Sequence, residues 1–456
     1  MKVENNVLKI INTLKNNHYD AYLVGGCVRD NFLGSTPKDY DVCTNALPET
    51  IAEIFKEEKL LLYGLKHGTV TVVLDGECYE ITTYRIDKDY KDGRHPESVE
   101  FTTDLVEDLK RRDFTINAMA YDVITNKTED PFNGLFDLDN KIIRCVGNAE
   151  DRFNEDALRI MRALRFSSVL GFEIEESTKN AIFKLYKNLS KISWERINAE
   201  FSKLLVGKDC VKILREYKEV FFYLMPELKP MDGFNQNNKY HIHDVWEHTL
   251  HVIENTPEDL VLRLTALFHD IGKPDTYIIG EDGQGHFYTH PIKSVELTDI
   301  VLKRLRYSNL VKDNVLLLIA EHSLTFEVSK KFLKRLLAKI GETALRQLLI
   351  FRKADIIGQK GKEIATERLE KIDNIVLVLN EIIEEASCFS LSDLEISGKD
   401  LIDAGIPPSK IMGKMLNATL KEVINGTLAN EKEELLKFAL NSVEQSETGK
   451  WRMKQC

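Results

Sequence analysis

The 456-residue chain carries only seven cysteines, scattered and odd in number, and none stands in a C-x-x-C spacing. That argues against a disulfide scaffold or a cysteine-ligated zinc site, and for reduced thiols in a cytoplasmic protein. No run approaches the roughly 20 apolar residues of a membrane helix. The opening Met1-Lys2-Val3-Glu4-Asn5-Asn6 shows no signal-peptide pattern. No membrane association is expected. Internal repeats and low-complexity segments are missing too. There is no basic excess, with 62 Lys and Arg against 73 Asp and Glu and a net charge of −11. Phosphate neutralisation supplies most of the affinity of a non-specific nucleic-acid binder, so this balance argues against general binding while leaving room for a local basic groove. What remains, 43% hydrophobic and 30% charged residues, is the make-up of a soluble globular chain. Its length is too great for one core, so three or four domains are expected.

Two short stretches carry the densest chemistry. Leu23-Val24-Gly25-Gly26-Cys27-Val28-Arg29-Asp30 reads as a strand end, a Gly-Gly turn and a helix bearing Arg29. Such glycines let backbone N–H groups approach an anion, and a helix start adds partial positive charge. Lys38-Asp39-Tyr40-Asp41-Val42 reads as a strand with two carboxylates on one face, placed to share divalent metal. A phosphate cradle followed by paired carboxylates is what nucleotidyl transfer needs, because Mg²⁺ clamps a triphosphate and lowers the pKa of the attacking hydroxyl. Around them, Val7–Asn16 has helical periodicity. Thr69–Leu74, Asp75-Gly76 and Tyr79–Arg85 read as a hairpin. Glu80, on its second strand, is either a third metal carboxylate or an exposed strand residue.

Leu109-Lys110-Arg111-Arg112-Asp113-Phe114-Thr115-Ile116-Asn117-Ala118-Met119-Ala120 resembles the second motif of the class II tRNA nucleotidyltransferase and bacterial poly(A) polymerase family. The two stretches above resemble that family's metal motif. The resemblance implies that Asp39 and Asp41 hold Mg²⁺ and that Gly25, Gly26 and Arg29 hold a triphosphate. It also implies that Arg112 contacts the nucleotide while Asp113 and Asn117 shape the sugar site. Polar 87–96 resembles the family's flexible loop, at full length. In Glu155-Asp156-Ala157-Leu158-Arg159, the Asp and Arg match the family's base-reading template. Asp156, Arg159, Arg162 and Arg165 follow at i+3 steps along one polar helix face, with Leu158, Met161 and Leu164 turned away. Arg162 and Arg165 join the nucleotide-binding set. A guanidinium offers donors and a carboxylate acceptors, so a slight rotation suits either C or A. The other reading of this pair is a plain i,i+3 ion pair. Trp194–Glu200 resembles the family's last helical motif, supporting the neck. The strongly basic C-terminal extension of the family's poly(A) polymerases is reduced here to Lys450-Trp451-Arg452-Met453-Lys454, and 444–456 reads as a frayed end.

A second constellation starts at His241-Ile242-His243-Asp244-Val245-Trp246-Glu247-His248, which opens a helix. Phe268-His269-Asp270-Ile271-Gly272-Lys273 ends another, and Arg352-Lys353-Ala354-Asp355 places an acid after a third. The set resembles the HD phosphohydrolase superfamily, which implies His248, His269, Asp270 and Asp355 as ligands of a divalent metal (Mg, Mn, Ni, Co or Fe). Lys273 and His290 would then be phosphate-contacting or supporting groups, with His322 a lesser candidate. A domain that keeps its ligands without turnover is the other reading. Leu394 to Gly413 resembles the tail of HD-containing relatives, or is a helical-hairpin turn at Pro407-Pro408.

The expected fold class is therefore α+β. A polymerase-β-like nucleotidyltransferase head (1–145) leads to an all-helical neck with the base-selecting template (146–230), an HD domain (231–365) and a helical tRNA-binding tail (366–456). The expected activity is addition of C, C and A to tRNA 3′ ends from CTP and ATP. Within the family the alternatives are an A-adding enzyme or a poly(A) polymerase. Outside it stands a metal-dependent phosphohydrolase acting on 2′,3′-cyclic phosphates or 2′-nucleotides. Oligomeric state is not legible.

Overall fold

A computed structural model describes residues 3–37, 39–88, 98–237, 242–281, 283–360, 365–385, 390–445 and 451–453. The chain divides into two compact units, Met1–Pro226 with Arg304–Arg306, and Glu227–Lys303 with Tyr307–Cys456.

The first unit opens with α1 (Asn5–Asn16), whose fully buried Val7, Ile10, Ile11 and Leu14 fall at i, i+3, i+4 and i+7. A seven-stranded mixed sheet follows. Its strands are β1 (Tyr22–Val24), β2 (Asp41–Thr44), β3 (Lys59–Leu61), β4 (Thr69–Leu74) and β5 (Glu77–Thr83), then β8 (Ala120–Asp122) and β9 (Lys127–Glu129) after the separate hairpin β6 (Arg85–Lys88) and β7 (Ser98–Phe101). The order is β3-β4-β5-β2-β1-β8-β9, with only β2 and β5 parallel. The β4–β5 turn is Asp75-Gly76, with φ of 52° and 88°. Two successive positive φ values match the right-handed twist of a hairpin, and glycine adopts one at no steric cost. β1 and β2 form the centre of the sheet, so the Gly-Gly turn after β1 and the carboxylates at the start of β2 meet at one sheet edge: Val24 lies opposite Asp41.

Helices α2 (Gly26–Phe32), α3 (Pro48–Ile54), α4 (Leu105–Lys110) and α5 (Gly134–Asp139) flank the strands. Beyond β10 (Ile142–Ile143) the unit is largely helical: α6 (Ala149–Glu155), α7 (Leu158–Leu170), α8 (Glu176–Leu185), α9 (Trp194–Leu205), α10 (Cys210–Glu216) and α11 (Lys218–Leu224). It is not all helical, as the sequence reading has it. β11 (Glu173–Ile174), after the Gly171 helix stop, pairs in parallel with β10. The expected loop lies outside the described residues, apart from its first two, which end β6.

The second unit runs α12 (Val245–Glu254), α13 (Leu260–Phe268), the ribbon β12 (Ile278–Ile279) with β13 (Gly285–His286), α14 (His290–Arg304), α15 (Asn309–Glu321), α16 (Lys330–Ile340), α17 (Glu342–Lys360) and α18 (Thr366–Glu384). Asp244 and Asp259 cap α12 and α13, accepting from the backbone N–H groups of Glu247 and Leu262 at 2.7 and 2.9 Å. α12 packs on α13 and α17. Asp355 lies inside α17, not after a helix as its flanking residues suggest. His241 lies outside the described residues. α19 (Gly398–Asp403), α20 (Lys410–Asn425) and α21 (Lys432–Asn441) close on an apolar cluster centred on Leu401, Met415 and Leu435. Pro407-Pro408 falls between α19 and α20, and Gly413 sits within α20. The end of the chain departs from the frayed segment expected. β14 (Val443–Gln445) pairs antiparallel with β15 (Trp451–Met453), while 446–450 and 454–456 lie outside the described residues.

Candidate active site

Gly25 joins β1 to α2 at φ +73°. A Cβ there would lie 3.3 Å from Arg112 Nη1 and 3.6 Å from Asp41 Oδ2, so the position needs glycine for both backbone and room. α2 is only seven residues long, and guanidinium groups carry most of the positive charge in this region. Arg29, nearly buried, donates from Nη1 to Asn117 Oδ1 at 2.7 Å and from Nε and Nη2 to Asp30 Oδ1 at 2.8 and 2.7 Å.

The strand β2 starts at Asp41, so Asp39 comes from the segment before it. The alternation nonetheless holds: Tyr40 and Val42 are buried while Asp39 and Asp41 open to the same cleft. Surrounding protein pushes the Asp41 carboxyl up. Arg112 opposes that shift, and Glu80 and Asp39 add to it. Glu80 is the direct neighbour of Asp41 across the parallel β2–β5 pair. Carboxylates that raise one another's pKa in an open cleft, offering oxygen donors, suit a hard divalent cation.

Asp108, fully buried on α4, organises the basic turn after it. Its Oδ1 accepts from Arg111 Nε and Nη2 at 3.0 and 2.8 Å, and its Oδ2 from Arg112 Nη2 at 3.2 Å. Burial would raise its carboxyl, but Arg111 and Arg112 hold it below the usual range. Asp113 is buried as well. It accepts from Asn117 Nδ2 at 3.1 Å and from Arg162 Nε at 2.7 Å. Against burial, Arg162 and Asn117 bring its carboxyl down to about 2. Arg162, Asp113, Asn117, Arg29 and Asp30 thus form one continuous chain of hydrogen bonds. The Phe166 ring lies under three of the cations, with guanidinium carbons 5.0 (Arg29), 5.5 (Arg162) and 3.9 Å (Arg165) from its centroid.

Asp156 sits in extended backbone between α6 and α7 rather than within a helix, so the expected single polar face begins only at Leu158. Leu158 therefore lines the cleft instead of turning away. Asp156 Oδ2 accepts from Arg196 Nη2 at 2.8 Å, and its Oδ1 from the Leu158 N–H at 3.0 Å. Arg159 donates to Glu155 Oε2 at 2.6 Å and to the Arg111 carbonyl at 2.9 Å. Arg165 lies 2.6 Å from Glu200 Oε2 on α9.

These groups enclose an open cleft of about 550 Å³ lined by seven arginines and five aspartates. Gly25, Gly26, Arg29, Asp39, Asp41, Arg112, Asp113, Asn117, Asp156, Arg159, Arg162 and Arg165 all line it. Glu80 does not, standing one strand behind Asp41. Sequence reading passed over Asp108, Phe166 and the direct place of Arg196 in the cleft. Arg112 Nε and Arg196 Nη1 are buried with no hydrogen-bond partner among the described residues. Both arginines line the cleft, as a site built to meet an anion or a base would require.

The second unit gathers its own cluster. His248 on α12, His269 and Asp270 just past α13, and Asp355 on α17 are buried together. His248 Nε2 lies 3.4 Å from Asp270 Oδ2 and 3.3 Å from Asp355 Oδ1, and His269 Nε2 is 3.1 Å from Asp270 Oδ2. Burial would raise both carboxyls. His269 and Lys273 hold Asp270 well below the usual range, and His248 and Arg352 do so for Asp355. Lys273 Nζ sits 2.6 Å from Asp270 Oδ2 and 2.7 Å from Gln236 Oε1. His290 opens α14 and His322 ends α15. Burial lowers both imidazoles, His322 to about 3. A cavity of about 390 Å³ reaches this cluster.

Residues 21–144 match the family model described as "Poly A polymerase head domain" and residues 171–231 one for an RNA- and SrmB-binding site of polymerase A. Residues 292–439, part of the region that resembles an HD domain, match a model described as tRNA nucleotidyltransferase domain 2. A CCA-adding enzyme of Ligilactobacillus salivarius is 36% identical over 439 residues, covering 96% of this chain and 96% of its own length. One from Enterococcus faecalis is 34% identical and covers 94% of each. The solved CCA-adding enzyme of Bacillus stearothermophilus in complex with CTP is 31% identical, with a TM-score of 0.67 and coverage of 95% and 96%.

Proposed function

The chain belongs to the CCA-adding enzyme family, and from that premise we propose that it adds C, C and A in turn to tRNA 3′ ends from CTP and ATP without a nucleic-acid template. One observation carries the reading: paired carboxylates, a cluster of guanidinium groups and an Asp/Arg pair able to read a base line a single cleft.

Asp39 and Asp41 would hold Mg²⁺, which when bound neutralises the triphosphate and acidifies the attacking 3′ hydroxyl. Gly25 lets backbone approach the phosphates, and Arg29 and Arg112 give them positive charge. Asp108 and Asn117 fix where those two guanidinium groups point. Asp156 and Arg159 then choose the base. C and A both present an exocyclic amino donor beside a ring-nitrogen acceptor, which a carboxylate and a guanidinium can meet; U and G present the reverse. Arg196 and Glu155 hold the two readers in place. We assign residues 1–145 to the head, 146–230 to the neck and 366–456 to a tRNA-binding tail, in a cytosolic enzyme. Among the described residues no helix is long and apolar enough to cross a membrane.

The test is extension of tRNA ending at the discriminator base, at –C and at –CC, with CTP and ATP supplied singly and together. Full CCA completion that stops after one A is expected. Extension of the –CC end alone would make it an A-adding enzyme, and a run of A a poly(A) polymerase.

A second reading of the other unit rests on its buried imidazoles and carboxylates. His248, His269 and Asp270 bring ligand atoms within 4.8 Å of one another, with Asp355 beside them. Imidazole with carboxylate suits a divalent transition metal, which when bound supplies hydroxide at neutral pH. The proposed activity of this HD domain (231–365) is hydrolysis of 2′,3′-cyclic phosphates or 2′-nucleotides. Absence of hydrolysis with Mg²⁺, Mn²⁺, Ni²⁺ or Co²⁺ would leave the cluster a structural ion-pair network.

A further inference from the structure

Three imidazoles in the second unit are fixed in one tautomer by the backbone. His269 Nδ1 lies 2.8 Å from the Ala266 carbonyl, His290 Nδ1 2.6 Å from that of Phe287, and His322 Nδ1 2.6 Å from that of Ile319. A carbonyl can only accept, so each Nδ1 carries the proton and each Nε2 of a neutral ring is a bare lone pair. His290 Nε2 and His322 Nε2 nevertheless face each other at 2.9 Å. Two lone pairs at that distance repel unless a cation lies against both.

The neighbouring carboxylate supplies the rest of such a site. Asp270 Oδ1 is 3.4 Å from His290 Nε2 and 3.8 Å from His322 Nε2, while its other oxygen, Oδ2, faces His248 and His269. Ligands about 2.1 Å from one metal stand ~3.0–3.4 Å apart in octahedral or tetrahedral geometry, close to these edges. The ligand atoms of Asp270, His290 and His322 all lie within 4.8 Å of one another, as do those of His248, His269 and Asp270. The Phe351 ring packs against both His269 and His322, at 5.3 and 6.3 Å, bracing one imidazole from each group.

We infer that Asp270, His290 and His322 form a second divalent-cation position, so that the cluster takes two ions bridged by the two oxygens of Asp270. This rests on the reading that His248, His269, Asp270 and Asp355 hold the first. The imidazole-rich donor set favours Mn, Fe, Co, Ni or Zn over Mg or Ca. The open face of the pair points into the cavity of about 390 Å³, the right setting for a phosphoester bound between two metals.

The experiment uses the full chain with Asp39→Asn and Asp41→Asn, so that the head takes up no metal, and Co²⁺ alone as probe. Ions per chain are counted after equilibrium dialysis, and coupling between them is read by electron paramagnetic resonance. Two ions with a coupled signal are expected, falling to one uncoupled ion when His290→Gln and His322→Gln are added. One ion per chain, unchanged by those substitutions, overturns the second position while sparing the first. No bound ion overturns both, without touching the nucleotidyltransferase reading. Should the doubly substituted protein fail to fold, judged by its thermal melt, the count and coupling in its parent decide alone.

Discussion

Asp113 and Arg162, 49 residues apart in sequence, meet through a 2.7 Å hydrogen bond from Nε to Oδ2 inside the cleft. The contact ties the turn that carries Arg112 to the helix that begins beside Asp156 and Arg159. Phosphate-binding and base-reading elements are thereby held in one frame.

That link is sensitive to acid. Asp113 has a carboxyl held at about 2, against ~3.9 in an unfolded chain. A depressed folded value gives stability that is present above pH ~4 and is lost as pH falls toward about 2. Asp113→Asn should cost on the order of 2 kcal/mol at neutral pH. It should also flatten the acid limb of stability across that window, as urea melts between pH 2 and 7 would record. An unchanged acid limb would mean the pair adds nothing to the fold.

Selection should depend on the residues that hold the readers as well as on the readers themselves. Asp156→Ala and Arg159→Ala should each reduce discrimination by roughly 5- to 150-fold, the worth of a lost buried hydrogen bond of about 1–3 kcal/mol. Triphosphate affinity, carried by Arg29 and Arg112, should change far less. Arg196→Ala should move the same way more weakly, because Asp156 Oδ2 loses its anchor. Steady-state incorporation of all four nucleotides measures both; an unaltered preference for CTP and ATP would reduce these side chains to structural ion pairs.

The two clusters share no residue. His269→Ala with Asp270→Ala should abolish metal-dependent hydrolysis of 2′,3′-cyclic phosphate while leaving addition of C and A within about twofold, a change worth only ~0.4 kcal/mol in barrier. Parallel assays on one preparation check this, and a large loss of addition would show the units to be coupled.

Much of the cleft was legible because local spacing carried it. Gly25 stands where only a positive φ fits, and Asp39 and Asp41 alternate with buried Tyr40 and Val42. The break at Asp156 was not legible, since 155–166 reads as unbroken helix and only the turn between α6 and α7 interrupts it. Nor were Asp108, Phe166 and Arg196. Each matters through partners its own segment does not reveal: two guanidinium groups on Asp108, three cations on one ring, and a carboxylate 40 residues away for Arg196. Asp355 was legible as a candidate, yet its place inside α17 was not, because the apolar pattern around it runs on without a stop signal.

The account stands most directly on Asp41, compared with the parent in single-nucleotide extension of tRNAs ending at the discriminator base, at –C and at –CC. If one carboxylate pair serves every step, Asp41→Ala should lower C addition and A addition together, by ~10³-fold or more, with tRNA affinity nearly intact. Near-normal incorporation of either nucleotide by that variant would contradict it.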